Sequence, residues 1–96
     1  MSVFFVATSV IKDMAKFKEY GAAAGPTVAA FGGKLVIKGM ADRALVGNHG
    51  YDAIGIIRFP DMDSLNNWYS SDAYQAIIPL RNEACDMTLV THNEPA

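Results

Sequence analysis

The sequence predicts a single α+β domain over residues 1–96, with an antiparallel sheet that has both helices on one face. Three observations carry this prediction. The chain has 96 residues, which is the size of one small domain. Four short apolar runs rich in β-branched and aromatic residues indicate strands. Two longer segments with apolar residues every three or four positions indicate amphipathic helices between those strands.

The first third of the chain is predicted to form one strand and one helix. The strand is Val3–Ser9, which is apolar on both faces. Asp13 can then cap a helix, because its side chain can accept a backbone N–H. Gly25-Pro26 interrupts this helix, which either kinks there or restarts as a second piece. Gly32-Gly33 ends it. The apolar stripe of the helix consists of Met14, Phe17, Gly21, Ala24, Val28 and Phe31.

Two strands and a long loop follow. Lys34–Met40 alternates, so we expect two faces: Leu35 with Ile37, and Lys34 with Val36 and Lys38. The loop over residues 41–52 contains turn-forming glycines, and its segment 44–46 could pair briefly as a strand. Ala53–Phe59 is the third strand, in which Ile54, Ile56 and Arg58 face away from Phe59.

The last third of the chain completes the fold. The segment 60–64 offers caps for a helix through Tyr69, and the tyrosine-rich stretch up to Arg81 follows as a second helical piece. Met87–His92 is the fourth strand. The order β-α-β-β-α-β is that of a ferredoxin-like fold. Because the strands are apolar on both faces, we expect two copies to stack sheet against sheet as a homodimer, a dimeric α/β-barrel.

Composition excludes several classes of function. The net charge is −2, with no run of basic residues, so we expect no nucleic-acid partner. No segment has the length of a membrane span, and the N-terminus lacks the features of a signal peptide. The lone Cys85 suits a reducing compartment, and we expect a cytoplasmic protein. No metal-ligand spacing or phosphate-binding glycine loop is present, so we expect no metal and no cofactor.

Arg81 is the principal candidate for a functional residue. At helical spacing it lies in the middle of an apolar stripe, where a permanently charged guanidinium requires a polar partner. One interpretation is that Arg81 reaches solvent or braces the fold by pairing with an acidic group. The other is that it recognises an anionic ligand. The stripe consists of Tyr74, Ile77, Ile78, Arg81 and Cys85.

Other side chains are candidates for the same pocket. The aromatic residues Trp68, Tyr69 and Tyr74 suit either a pocket for a ring-shaped ligand or ordinary core packing. Ser71 precedes a helical segment, and its most plausible role is an N-cap that accepts from Tyr74 or Ala73. Three polar residues complete the set, each with an alternative role at the surface. Arg58 and Lys38 could place cations around a barrel pocket, and His49 could act as a general base at its mouth.

Several residues carry a resemblance to a known family. Gly32-Gly33, Gly47, Arg58-Phe59-Pro60-Asp61, the Trp68-Tyr69-x-Ser71-x-x-Tyr74-Gln75 motif and Arg81 resemble the DUF1330 family of uncharacterised function. Pro26 also fits. The resemblance implies a ferredoxin-like dimeric α/β-barrel, an architecture shared with small antibiotic-synthesis monooxygenases, muconolactone isomerases and EthD-type proteins. It implies no particular reaction.

The chain departs from the family pattern at positions that bear on chemistry. Val46 and Arg58 stand where the family usually has Glu, so a base or metal ligand at those positions would be lost here. His49, Asp72 and Pro79 are further departures. Two functions remain open. One is a pocket for a small anionic or aromatic metabolite near Trp68, Tyr74 and Arg81, with or without cofactor-independent oxidation or isomerisation. The other is a non-catalytic structural or interaction homodimer.

Overall fold

A computed structural model describes residues 2–95, and Met1 and Ala96, the two ends of the predicted domain, lie outside the described residues. Four antiparallel strands form one sheet in the order β2-β3-β1-β4. This is the predicted α+β, ferredoxin-like fold. The strands are β1 (Val3–Ile11), β2 (Lys34–Met40), β3 (Ala53–Phe59) and β4 (Cys85–Asn93). The helices are α1 (Met14–Ala29), α2 (Met62–Ser70), α3 (Asp72–Gln75) and α4 (Ile78–Ala84).

Helix α1 begins and ends close to the predicted positions. The Asp13 carboxylate caps it by accepting the backbone N–H of Lys16 at 3.0 Å. The helix continues as one piece through Pro26, so of the two alternatives predicted there, a kink or a restart, the restart does not occur. Gly32 follows with a φ of 80°, and the Gly33 N–H donates to the Val28 carbonyl at 3.1 Å, which closes the helix end. Among residues 2–95, no helix has the length and apolar character that a membrane crossing requires.

The tyrosine-rich segment differs from the prediction, because it forms two short helices rather than one. Helix α3 ends at Gln75, and α4 restarts at Ile78 with Pro79 in its first turn, where a missing N–H costs nothing. Arg81 therefore lies on α4 and Tyr74 on α3, while Cys85 already belongs to β4. The loop 41–52 also lacks the brief strand that we expected at residues 44–46.

Strand β2 contains an irregularity that changes which residues share a face. The pairing of β2 with β3 shifts between Leu35 and Ile37, so Val36 is an extra, bulged residue. Beyond the bulge Lys38 pairs with Gly55, which places it on the same face as Phe59 and opposite Arg58. The prediction that Lys38 joins Arg58 around one pocket is therefore wrong.

The two faces of the sheet have different surroundings. On one face Val3, Phe5 and Phe59 pack under the helices against Leu65 and Trp68, and this cluster forms the core. On the opposite face, here called the open face, no helix formed by residues 2–95 packs against the sheet. Ile37, Ile56, Val6 and Val90 pair in sequence across all four strands of that face and form an apolar row. Ile37 and Val90 in this row are 60% and 47% exposed.

Candidate functional site

The Arg81 guanidinium lies in the helix layer and contacts tyrosine hydroxyls. Its Nη1 donates to the Tyr74 hydroxyl at 3.1 Å. Among residues 2–95, no carboxylate lies within ion-pair distance of it, and its buried Nε has no hydrogen-bond partner. Burial lowers the pKa of Arg81, but interactions with Tyr74 and Tyr69 outweigh this effect and raise the pKa above its usual value. Within the described residues, the side chain is therefore a cation without a neutralising partner.

Tyr20 extends this arrangement across the helices. Its hydroxyl lies 2.8 Å from the Tyr74 hydroxyl and is buried. Burial raises the pKa of Tyr20, and the neighbouring Tyr74 raises it further. Tyr20 therefore stays protonated at neutral pH and serves as a hydrogen-bonding group, not as a base. We call Tyr20, Tyr69, Tyr74 and Arg81 the arginine–tyrosine cluster.

The three predicted aromatic candidates differ in exposure. Trp68 and Tyr74 are 1% and 0% exposed, and their ring centroids lie 4.3 Å apart. The Trp68 indole N–H donates to the Thr27 hydroxyl at 3.1 Å. Tyr69 is 40% exposed and lies edge-on to Trp68. Trp68 and Tyr74 are therefore buried, and Tyr69 is the one of these three aromatic side chains that solvent reaches.

Ser71 has the capping role that the sequence suggested. Its hydroxyl accepts the backbone N–H of Tyr74 at 3.2 Å and donates to the Trp68 carbonyl at 2.6 Å. Both contacts are local, and together they join the end of α2 to the start of α3. Ser71 thus orients Tyr74 within the arginine–tyrosine cluster.

Arg58 lies away from this cluster, on the open face. Its Nε and Nη2 donate to one oxygen of Glu94, at 3.2 Å and 2.8 Å. The second oxygen of Glu94 accepts from the Ser2 hydroxyl. Arg58 also lines an open groove of about 530 Å³ together with Lys34. The structure therefore separates Arg58 from Arg81, which the sequence had grouped in one pocket.

His49 lies in the exposed loop between β2 and β3. Its Nδ1 is 2.8 Å from the Tyr51 carbonyl oxygen, and the two rings meet edge to face. It lines a second open groove, of about 370 Å³, with Arg43. The residues of the arginine–tyrosine cluster do not line this groove. Within residues 2–95, no three His, Cys, Asp or Glu side chains come together as metal ligands would.

Sequence reasoning missed two of the charged or polar residues described above. Tyr20 lies three residues after Phe17 and four before Ala24, so helical spacing was a usable signal for it. Lys34 joins Arg58 through strand pairing, and no feature of the sequence reveals that register.

Solved structures with the same fold include proteins of known and unknown function. A protein of unknown function from Rhodopseudomonas palustris is 18% identical, with a TM-score of 0.85 over 99% of this chain and 83% of that chain. SnoaB from Streptomyces nogalater, a cofactor-independent oxygenase, is 12% identical, with a TM-score of 0.74 over 99% and 94%. A dimeric ferredoxin-like protein of unknown function from Jannaschia sp. CCS1 is 10% identical, with a TM-score of 0.78 over 98% and 100%.

These identities are low, so the structural matches show the shared fold alone. No curated protein sequence matches the chain. A family model described as "Domain of unknown function (DUF1330)" matches residues 2–93, which is nearly the whole chain. The protein therefore belongs to the DUF1330 family.

Proposed function

We propose that the protein binds a small anionic, ring-bearing metabolite in the cytoplasm at the arginine–tyrosine cluster. The observation that carries this proposal is the state of Arg81, a partly buried cation with no carboxylate beside it and an unpartnered Nε among residues 2–95. Buried charges are normally paired, so an anionic ligand is the natural counterpart. Tyr69 supplies an accessible aromatic surface next to the cation.

The chemistry of the cluster favours binding over proton abstraction. The pKa of Tyr20 is raised by burial, so its hydroxyl donates hydrogen bonds and does not remove protons near neutral pH. We propose cofactor-independent oxidation or isomerisation of the bound ligand only as an extension of this function. That extension is supported by the similarity of the fold to that of SnoaB and does not rest on residues of the cluster.

A homodimer that closes the open face is the second element of the proposal. The apolar row of Ile37, Ile56, Val6 and Val90 is partly exposed in the single chain, and a second copy stacked on it would bury it in a barrel. The protein from Jannaschia sp. CCS1, which has the same fold and is dimeric, supports this assembly. If the cluster binds no ligand, the alternative function is that of a structural or interaction homodimer.

The first experiment is a thermal-shift screen against small carboxylic acids, phenols and quinones, with wild-type protein and the Arg81→Met variant. A ligand at about 100 times its Kd stabilises the folded state by roughly 2.7 kcal/mol, which is readily detected. We expect a stabilising acid whose effect is lost in Arg81→Met. The matched control is Arg43→Met, an exposed arginine in the loop, which should keep the full effect.

Either of two outcomes would contradict the proposal. One is a screen in which every stabilising acid acts equally on wild type and Arg81→Met, so that none depends on Arg81. The other is a screen without any stabilising compound, combined with a loss of several kcal/mol in the free energy of unfolding of Arg81→Met. A loss of more than about 3 kcal/mol would show a bracing role, because removal of the charged hydrogen bond to Tyr74 alone costs about 1.5–3 kcal/mol.

A further inference from the structure

One row of the open face places two cations side by side. Lys34 pairs with Arg58, Arg58 with Phe4, and Phe4 with His92, so the row crosses all four strands. Directly paired residues on neighbouring strands point to the same side of the sheet. Lys34 and Arg58 therefore share the open face at the end next to Ser2, one row away from the apolar row that we assign to the dimer.

The groove of about 530 Å³ lies at this position and combines positive charge with an apolar wall. Its volume falls within the usual range for small-molecule sites, about 300–1,000 Å³. Within the described part of the chain, residues 2–95, Lys34 and Arg58 are the charged residues that line it, and no carboxylate belongs to its lining. Val36 and Pro60 supply apolar surface next to these cations.

The Arg58 guanidinium is held in place by a residue that does not itself line the groove. Glu94 takes the Nε and Nη2 hydrogen bonds of Arg58. Among residues 2–95, the Arg58 Nη1 makes no hydrogen bond and Lys34 has no carboxylate within 4.0 Å. Glu94 neutralises one of the two cations, so the groove retains one uncompensated positive charge. A monoanion matches that charge.

We propose that this groove binds a small monocarboxylic acid with a short apolar or aromatic body. The carboxylate lies between the Lys34 ammonium and the Arg58 Nη1, where both contacts are charge-assisted hydrogen bonds. The apolar body lies along Val36 and Pro60. Glu94 is a positioning residue, because it orients the guanidinium without lining the groove. The site is separate from the arginine–tyrosine cluster, which lies among the helices on the other side of the sheet.

The test is a titration of ¹⁵N-labelled protein with benzoate, followed by amide chemical shifts. We expect saturable shifts at Gly32, Lys34 and Arg58. Lys34→Gln and Arg58→Gln should each weaken the apparent affinity by roughly tenfold, the cost of one charge-assisted hydrogen bond. Lys38→Gln is the matched control, since it removes a lysine from the same strand on the opposite face. It should bind as the wild type does.

Two further probes identify the chemistry that is recognised. Benzyl alcohol has the same ring without the charge and should produce no saturable shift. Inorganic phosphate should bind more weakly than benzoate, because it lacks an apolar body and carries more charge than the groove compensates. Equal binding of benzoate and benzyl alcohol, tighter binding of phosphate, or equal weakening in Lys38→Gln would each overturn the proposal.

Arg81→Met separates this site from the proposed function. In that variant, benzoate should still shift Gly32, Lys34 and Arg58 with unchanged affinity, even if the thermal-shift screen has assigned another ligand to Arg81. Loss of these shifts in Arg81→Met would overturn the inference of a separate site. If Arg58→Gln loses its folded spectrum, Lys34→Gln alone decides, because Lys34 makes no ion pair among residues 2–95.

Discussion

The hydroxyls of Tyr20 and Tyr74 lie 2.8 Å apart and join α1 to α3 inside the helix layer. Tyr74 is the central member, since it also accepts a hydrogen bond from Arg81. The two hydroxyls therefore differ in how many groups depend on them. Removal of the Tyr20 hydroxyl takes a hydrogen-bond partner from Tyr74 alone, whereas removal of the Tyr74 hydroxyl takes one from both Tyr20 and Arg81.

This inequality predicts different costs for two Tyr→Phe variants. Tyr20→Phe removes one hydrogen bond of Tyr74 and should lower the free energy of unfolding by about 1 kcal/mol. Tyr74→Phe leaves both Tyr20 and Arg81 without that partner and should cost about 2–3 kcal/mol. Urea unfolding of the two variants measures the difference. Equal costs, or a larger cost for Tyr20→Phe, would contradict the assignment of Tyr74 as the centre of the cluster.

The raised pKa of Tyr20 predicts a loss of stability at alkaline pH. In the unfolded chain a tyrosine ionises near pH 10, whereas burial keeps Tyr20 neutral in the folded protein well above that pH. Its contribution is therefore fully present below about pH 10 and is lost as the pH rises beyond it. Urea midpoints between neutral and strongly alkaline pH should fall more steeply in wild type than in Tyr20→Phe. Tyr51→Phe, a variant of a loop tyrosine, should keep the wild-type slope.

Gly33 is predicted to tolerate no side chain. A Cβ at this position would lie 2.8 Å from the Phe59 ring and would also meet Val28, both of which belong to the core. Gly33→Ala should therefore destabilise the protein by about 1–3 kcal/mol. Gly21→Ala is the matched control, because nothing lies within 4 Å of its Cβ and the residue is inside α1. It should stabilise by about 0.5–1 kcal/mol. An unchanged free energy of unfolding in Gly33→Ala would show that the end of α1 can shift to make room for the side chain.

The apolar row of the open face predicts how a dimer can be broken. Ile56→Glu places a charge in the middle of that row, where a stacked second copy would bury it without a partner. Sedimentation velocity should show a dimer for wild type and a monomer for Ile56→Glu. Leu45→Glu, in the exposed loop, should remain a dimer. A monomeric wild type would remove the barrel from the proposal.

The order of elements was predictable because local signals mark it. Asp13 and Ser71 have the capping roles that their positions suggested, and both accept a backbone N–H three residues ahead. Strands β2 and β3 have the predicted bounds, since each apolar run is delimited by turn-forming residues. β1 and β4 extend one or two residues beyond the predicted ends, where pairing between them continues to Ile11 and Cys85.

The candidate site was predictable only in part, since its members depend on long-range geometry. Arg81 and Tyr74 do contact each other, but across a break between α3 and α4 that Pro79 introduces. Lys38 was assigned to the wrong face because a strict two-residue alternation cannot include a bulged residue. The alternation of β3 correctly placed Arg58 on the face away from Phe59, but the sequence did not reveal that Arg81 lies among the helices on the other side of the sheet.

The bulge at Val36 affects how strongly the protein resists aggregation. β2 is an edge strand whose seven residues are all exposed, among them Leu35, Val36 and Ile37. A straight apolar edge of this kind recruits strands from other chains and seeds fibrils, whereas a bulge disrupts the spacing that a new strand needs. Deleting Val36 would straighten the edge and leave the chain open to amyloid growth. Val36, the extra residue that breaks the two-residue alternation of β2, therefore protects the sheet edge against fibrillar aggregation.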